Sequence, residues 1–600
     1  MADKFISRRN LDFLLYEVLD AEQLTAFDYY GGHNRKLFDM VIDAAAKLAK
    51  DRLRPIFEEM DRQGPVMENG RVKVHPAVGG ILREYGDGGW ISASLPEAHG
   101  GEQLPDVVSN LCRFIFAAAN YSASIYPELS AGAAHLIVSF GSEDLNSTYV
   151  PAMISGKWQG TMALTEPDAG SSLTDITTTA EPAGDFYRIC GTKIFISAGD
   201  HDGAENVVHL MLAKIPGGPP GVKGISLFVV PRLRPGADGT LTPNDVTVTQ
   251  IFHKLGYRGA PITELSMGEK GDCRGYLVGE PHLGLTYMFQ LMNEARLGVG
   301  LGATAIAAAA YYAALDYART RPQGRPMGEK DPTRPQVPIV SHADVRRMLL
   351  FQKSVSEGAL ALIAQCSLYS DLVRAADGET AERAALLLDL LTPVAKTYPS
   401  EMGVLSTSSA IQCFGGYGYC EDFPVEQHYR DVRIHPIHEG TTGIQGMDLL
   451  GRKVVMNGGR AMTLFLEEVK TAIAQGRACD RTAAQADQLE AALGSLEQVT
   501  WYLVGVAGEK GPEVFLADAT LYLELFGIVT VAWQWLRQAL AAEKGLALKP
   551  SPRDRQFYAG KRFAFRYFFA YELPKTLALV RRLTDGDPVT IEMAPEMFND

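Results

Sequence analysis

The chain has 600 residues, a net charge of −14, and a composition that is 46% hydrophobic and 21% charged. That length exceeds one hydrophobic core and predicts roughly three or four domains of about 100 to 200 residues each. The composition excludes a disordered or fibrous chain, and the acidic balance argues against nucleic acid as the main partner, because phosphate binding relies on an excess of Lys and Arg.

Residues 1–36 read as a leader in which Arg8 and Arg9 precede an apolar cluster. Asp3, Asp12, Glu17 and Asp20 argue against a targeting segment, since signal sequences are uncharged in their apolar region and transit peptides are poor in acids. Residues 37–157 read as a helical N-terminal domain. In DMVIDAAAKLAKDRLRPIF, for example, Met40, Ile42, Ala45, Leu48, Ala49 and Leu53 fall largely on one face. Residues 158–283 change period: short segments rich in β-branched and aromatic residues alternate with Gly, Pro and Asp clusters, which predicts a middle β domain.

Helical spacing returns over 284–452, interrupted at 321–339 by a proline-rich stretch that reads as a loop. The charge-free run 297–315, LGVGLGATAIAAAAYYAAL, is nearly long enough to span a bilayer. Its Ala and Gly suit close helix packing in a bundle, so no integral membrane segment is expected. Residues 453–600 carry their own helical patterns and turns, and read as an additional C-terminal helical domain. The expected fold class is thus mainly α with a central β domain. Seven cysteines (Cys112, Cys190, Cys273, Cys366, Cys413, Cys420 and Cys479) form no CxxC, which points to a reducing, cytoplasmic setting and no metal site.

Four segments carry candidate chemistry. GTMALTEPDAGSSLTD at 160–175 runs from a strand into a turn that presents Thr165, Ser171 and Ser172 as hydroxyl partners. In GTKIFISAGDHD at 191–202, strand alternation places Phe195 and Ser197 on one side, an aromatic face beside a hydroxyl donor that suits a flat heterocycle. NEARLGVGLGATA places Arg296 at the start of the Ala/Gly-rich helix. In residues 411–445, Gly415, Gly416 and Gly418 allow close backbone approach to a ligand, and about twenty residues later HEGTTGIQ sets Glu439 in a loop. Taken singly, each of the first three also reads as ordinary structure: a connecting turn, a core Phe with a surface Ser, a solvated arginine.

Together these segments resemble the acyl-CoA dehydrogenase family. Its TEPxAGS turn, [WF]-I-[TS]-x-G strand, helix arginine, Q-x-x-GGxGY turn and EGTxxIQ loop occur here in that order, over about residues 37 to 452. The leader and the C-terminal addition further resemble the long subgroup that includes the 3-methylmercaptopropionyl-CoA dehydrogenases. The resemblance implies a helical N-terminal domain, a β-barrel-like middle domain and a four-helix bundle, here with a C-terminal helical addition, and FAD as cofactor. It implies that Thr165 contacts the flavin ring, that Phe195 lies against it, and that Ser197 hydrogen-bonds near its reactive nitrogen. Arg321, Gln412, Gly415 and Gly416 would bind the FAD diphosphate and adenosine of a neighbouring subunit, hence a homodimer, and Thr441 would also face FAD. Ser171, Arg296, Gly440 and His438 would lie on the acyl-CoA side.

The reaction implied is α,β-dehydrogenation of an acyl-CoA thioester, with Glu439 as the α-proton base and electron-transfer flavoprotein as the electron acceptor. In some relatives the base precedes the helix arginine; here that position is Ala295, and Glu294 is rotated about 100° away. Gln323, Gly324 and Gly443 depart from the family pattern, so the family's FAD contacts at those positions are not carried over. His438 stands where relatives often have a bulky aromatic. It would either make the pocket more polar and tune Glu439, favouring a shorter or partly polar acyl group, or turn to solvent. Two alternatives stay open: an acyl-CoA oxidase that uses oxygen, and a DNA-binding flavoprotein using the basic, aromatic segment 551–569.

Overall fold

A computed structural model describes residues 4–599, apart from the side chains of Gln290, Leu291 and Met292. Asp3, one of the acidic residues that argue against a targeting segment, lies outside the described residues. The chain divides into two units, one made of Asp39–Pro105 and Ile115–Ala295, the other of Met1–Phe38, Asp106–Phe114 and Arg296–Asp600.

The first unit is built around the strands β1 (Trp158–Ala163), β2 (Thr179–Pro182), β3 (Tyr187–Ser197), β4 (Asn206–Lys214), β5 (Ile225–Pro231), β6 (Val246–Ile251), β7 (Ile262–Met267) and β8 (Arg274–Leu277). They form one sheet in the order β6-β7-β3-β8-β5-β4-β1, and β2 pairs with both β3 and β4. That double pairing closes β3, β8, β5, β4 and β2 into a ring, the barrel-like domain expected from the sequence. Closure leaves fewer unpaired edges.

Strand β4 is buried over all but its last residue, so its side chains feed two cores on opposite faces. Val208, Leu210 and Leu212 join the cluster with Ala133, Ile137, Tyr149 and Met153 from the helices Tyr121–Phe140 and Glu143–Ile154. Met211 and Ala213 join the other cluster, with Ile189, Ile196, Phe228 and Leu265.

Within the helix Arg35–Leu48 and the turns after it, Ile42, Ala45, Ala49 and Leu53 are buried as the periodicity predicts. Met40, expected on that face, is instead 58% exposed, and Phe38 is fully buried. The buried positions follow the i, i+4, i+7 spacing from Phe38, and Met40 lies about 200° round the helix from it.

The second unit is helical. Helices Ala343–Ala375 and Gly378–Phe414 form a tight hairpin, and Gly284–Thr320 contributes its Ala-rich half, including Ala310, Ala314 and Ala318. A Cβ at Gly300 would lie 2.0 Å from the Ala395 carbonyl oxygen, so glycine permits that approach. The helix Gly284–Thr320 starts well before Arg296, contrary to the expectation that Arg296 opens it. Between Leu285 and Ala295 the sequence offers no Gly or Pro to break the helix.

The addition after Arg452 packs into the same core. Trp533 and Trp535 are 1% and 0% exposed within a cluster that includes Leu390, Val394 and Phe465, and the Trp535 indole donates to the Ser354 carbonyl at 3.0 Å. Two helices, Gly284–Thr320 and Ala519–Ala547, are long and apolar enough to cross a membrane, but 89% and 83% of their apolar windows are buried within the protein. Part of the basic, aromatic segment 551–569 is engaged internally. Lys561 is fully buried against Glu357 at 2.8 Å, Asp554 pairs with Arg9, Arg562 pairs with Glu543, and Tyr558, Phe565 and Phe568 are core residues. Phe563 is 57% exposed, and Arg553, Arg555 and Arg566 are exposed as well.

Candidate functional site

Glu439 sits at φ +55° and Gly440 at φ +87°, two successive left-handed residues between a turn and the helix Thr442–Asp448. Such a conformation strains a glutamate and needs outside support. Gln445 supplies part of it, since its side-chain amide donates to the Glu439 carbonyl at 3.0 Å and the Gly440 carbonyl at 3.4 Å. Lys396, on the helix Gly378–Phe414, supplies the rest: its ammonium donates to the Gly440 carbonyl at 2.8 Å. Glycine is required at 440, where a Cβ would also lie 2.6 Å from the Gln445 amide nitrogen. Thr441 caps the following helix, its hydroxyl accepting from the Ile444 N–H at 3.4 Å.

Burial pushes the Glu439 carboxyl above its ordinary value, against the opposing pull of Arg296 and Lys396. Arg296 is only 3% exposed and donates to Asp448 at 2.9 Å, and Asp448 also binds Arg452. A buried guanidinium needs such a partner. His438 does not turn to solvent: its Nε2 is buried without a hydrogen-bond partner among the described residues, and its ring meets His435 edge-on at 5.3 Å. Burial, then His435 and Lys396, hold His438 well below its ordinary value, so it is neutral at pH 7. Burial lowers His435 to about 3, and its Nδ1–H donates to the Val432 carbonyl at 3.0 Å. The alternative base, Glu294, pairs with His135 at 2.9 Å.

In the β unit, the turn after β1 is closed by the backbone pair Glu166–Ala169, and the Thr165 carbonyl accepts from the Ile194 N–H at 2.9 Å. Beneath it, Glu166 and Lys193 form an ion pair at 2.8 Å with side chains 3% and 0% exposed. The Glu166 carboxylate also accepts from the N–H and hydroxyl of both Thr177 and Thr178. Burial pushes Glu166 upward, but Lys193 and the threonines outweigh it and hold it at about 2. Burial lowers Lys193 to about 8 against the pull of Glu166. Both are charged at neutral pH.

Phe195 departs from regular strand geometry. It lies at φ +57°, the β3–β7 register shifts beside it, and its ring is 57% exposed against Phe252 at 4.8 Å. Simple alternation therefore does not place Phe195 relative to Ser197, because a left-handed residue reorients the side chain. Ser197 is half-buried and Ser171 is exposed.

Arg321, Gly415 and Gly416 line one depression, together with Tyr317, Gln323 and Tyr417. Gly415 ends the long helix at φ +62°, ψ −139°, a conformation open essentially to glycine alone. No atom lies within 4 Å of a Cβ built at either glycine, so their backbone faces open space. Tyr317 stacks on Phe414 at 4.2 Å to form the floor. Gln412 is exposed on the last turn of the same helix and is not among the lining residues. Among the described residues, no group of three or more His, Cys, Asp or Glu side chains is placed to hold a metal ion.

Sequence reading missed Lys396, Gln445, Asp448, His435 and the Glu166–Lys193 pair. The one available signal was a charge inside an otherwise apolar run, as in TPVAKTYP and GTKIFIS. Such a lysine must be paired or hydrogen-bonded if buried.

Comparisons with known proteins agree along the chain. Models of the acyl-CoA dehydrogenase N-terminal, middle and C-terminal domains match residues 38–157, 161–269 and 282–454, and one described as acetyl-CoA dehydrogenase C-terminal like matches 465–594. The 3-methylmercaptopropionyl-CoA dehydrogenase of Ruegeria pomeroyi is 37% identical over 585 residues, covering 96% of this chain and 98% of its own. A butyryl-CoA dehydrogenase of Syntrophomonas wolfei is 34% identical over 618 residues, covering 98% of each. The acyl-CoA dehydrogenase from Bacillus anthracis, solved in complex with FAD, has a TM-score of 0.73 at 20% identity over 94% of this chain and 90% of its own, a likeness of fold.

Proposed function

This chain belongs to the acyl-CoA dehydrogenase family, and from that premise we propose that it desaturates an acyl-CoA thioester between Cα and Cβ, with Glu439 as the base. FAD, when bound, supplies the two-electron acceptor for the β-hydride. The observation that carries the reading is Glu439 itself, a strained residue held by Gln445 and Lys396 and raised above the ordinary carboxylate range by burial. A base whose proton affinity is raised above the ordinary carboxylate value is better matched to a weakly acidic α-proton. The proton leaves Cα for a Glu439 carboxylate oxygen, and Arg296 and Lys396 favour the charged form of that carboxyl against the effect of burial.

The donor set fits FAD. An exposed aromatic ring at Phe195, with Thr165 and Ser197 nearby in sequence and strand, suits a flat ring system with polar edges. A cation at Arg321 beside the open backbone of Gly415 and Gly416 suits a diphosphate. We assign Gln412 and Thr441 to the same cofactor, and Ser171, Gly440, Arg296 and His438 to the acyl-CoA side. A neutral, half-buried imidazole at His438 supports a shorter or partly polar acyl group, in keeping with the 3-methylmercaptopropionyl- and butyryl-CoA dehydrogenases among the relatives.

Electron-transfer flavoprotein is the proposed acceptor, and a homodimer the proposed assembly, because the C-terminal addition covers bundle surface around Ser354 and Gly358. The free cysteines support a cytoplasmic setting. The test is flavin bleaching, without oxygen, against a panel of acyl-CoA thioesters. Glu439→Gln is expected to keep FAD and lose turnover; near-normal turnover would sink the assignment. Preference for long straight chains over all short ones would overturn the role given to His438, and oxygen uptake without added acceptor would replace the proposed acceptor with oxygen.

A further inference from the structure

Lys396 lies on the helix Gly378–Phe414, with a side chain wholly removed from solvent. A lysine there has no access to water and must find its contacts within the protein. Its ammonium donates to the Gly440 carbonyl, an uncharged acceptor, at 2.8 Å. The groups whose charges face it are Glu439, Glu401 and Arg296, together with the imidazoles of His435 and His438. Glu401 is engaged by the Thr442 hydroxyl. Both histidines are held neutral by burial. Arg296, the other cation facing Glu439, is already matched by Asp448 at 2.9 Å.

We propose that Lys396 is a positioning residue for the base. Its ammonium clamps the Gly440 carbonyl, fixing the two left-handed residues on which the Glu439 carboxyl is carried, and its charge acts on Glu439 alongside that of Arg296. The inference rests on the reading of Glu439 as the base. The two contributions separate by chemistry, since the clamp needs only a donor whereas the field needs a positive charge. Burial also brings Lys396 down to about 8, so the ammonium persists at neutral pH and is lost in mild alkali.

Two variants of the FAD-loaded protein test this. Lys396→Gln keeps a donor for the Gly440 carbonyl and removes the charge; Lys396→Met removes both and suits an apolar surrounding. The readout independent of turnover is an infrared pH titration of the protonated carboxyl band that vanishes in Glu439→Gln. In both Lys396 variants the midpoint of that band is expected to rise by about one pH unit or more, and the acidic limb of the flavin-reduction rate should follow it. In Lys396→Met the plateau rate should fall further, by about tenfold relative to Lys396→Gln, because the strained turn has lost its clamp. A midpoint unmoved in folded Lys396→Gln or Lys396→Met overturns the electrostatic part, and equal plateau rates in the two variants overturn the clamp. Turnover by Glu439→Gln would sink the underlying reading; loss of turnover there with an unmoved band sinks only the role of Lys396.

Discussion

Replacing Lys193 by methionine tests how the turn carrying Thr165 is held to the strand carrying Phe195. In the native protein Lys193 and Glu166 are 0% and 3% exposed and 2.8 Å apart. Removing one partner of a buried pair leaves the other charge uncompensated and costs about 3 to 5 kcal/mol. Glu166 retains four donors, the N–H and hydroxyl groups of Thr177 and Thr178, which places the expected loss near the lower end, about 3 kcal/mol. For a domain of this size that corresponds to a fall of about 6 to 12 °C in the melting temperature of the β unit.

The loss should depend on pH in a defined direction. Glu166 has an ordinary value of 4.5 and is held at about 2 in the folded state, so its contribution is fully present above 4.5 and lost as pH falls through about 2. Lys193 stays protonated below about 8, so the pair is intact across that window. Melts followed by circular dichroism at pH 7 and pH 3 should therefore show a gap between wild type and Lys193→Met that narrows in acid. A gap below about 2 °C at pH 7, or one that does not change with pH, would refute the argument.

Two further substitutions probe the helical unit. Gly415→Ala places a Cβ on a residue at φ +62°, ψ −139°, a strain of about 1 to 3 kcal/mol although the space around it is open. FAD should bind about tenfold more weakly by fluorescence titration, whereas Gly416→Ala, which carries no such backbone strain, should leave the melting temperature unchanged. Asp448→Asn leaves the buried guanidinium of Arg296 with a neutral partner, which should cost about 3 kcal/mol in a denaturant melt. It should also lower the acidic limb of the rate profile, because more of the positive field of Arg296 then reaches Glu439. A melt within 1 kcal/mol of wild type would show that the pair is dispensable.

Much of the fold was legible because burial leaves a period. The strands of 158–283 announced themselves by β-branched and aromatic runs between turn residues, and the helices by apolar spacing. Where that reading failed, the cause is local. Met40 was assigned to the apolar face by its chemistry, while the face is set by Phe38 and its i, i+4, i+7 partners. Arg296 was taken to open a helix because the charge-free run begins after it, yet helix formers continue back to Gly284. Phe195 and Ser197 were paired by alternation, which a left-handed residue at a register shift does not obey.

The order of the elements was readable in the sequence alone, and a glutamate in a loop with neither helical nor strand periodicity stood out there; its nomination as a candidate base came through the family resemblance. The glycine turn at Gly415 and Gly416 was also legible, because tight turns demand particular residue types at particular spacings. What only the tertiary structure decided is everything that depends on residues distant in the chain. Lys396 reaches Gly440, Asp448 neutralises Arg296, Glu166 locks onto Lys193, and His438 is packed against His435 instead of open to water. Charge and proton affinity in a protein are set by desolvation and by neighbours within a few ångströms, and those neighbours come together only when the chain has folded.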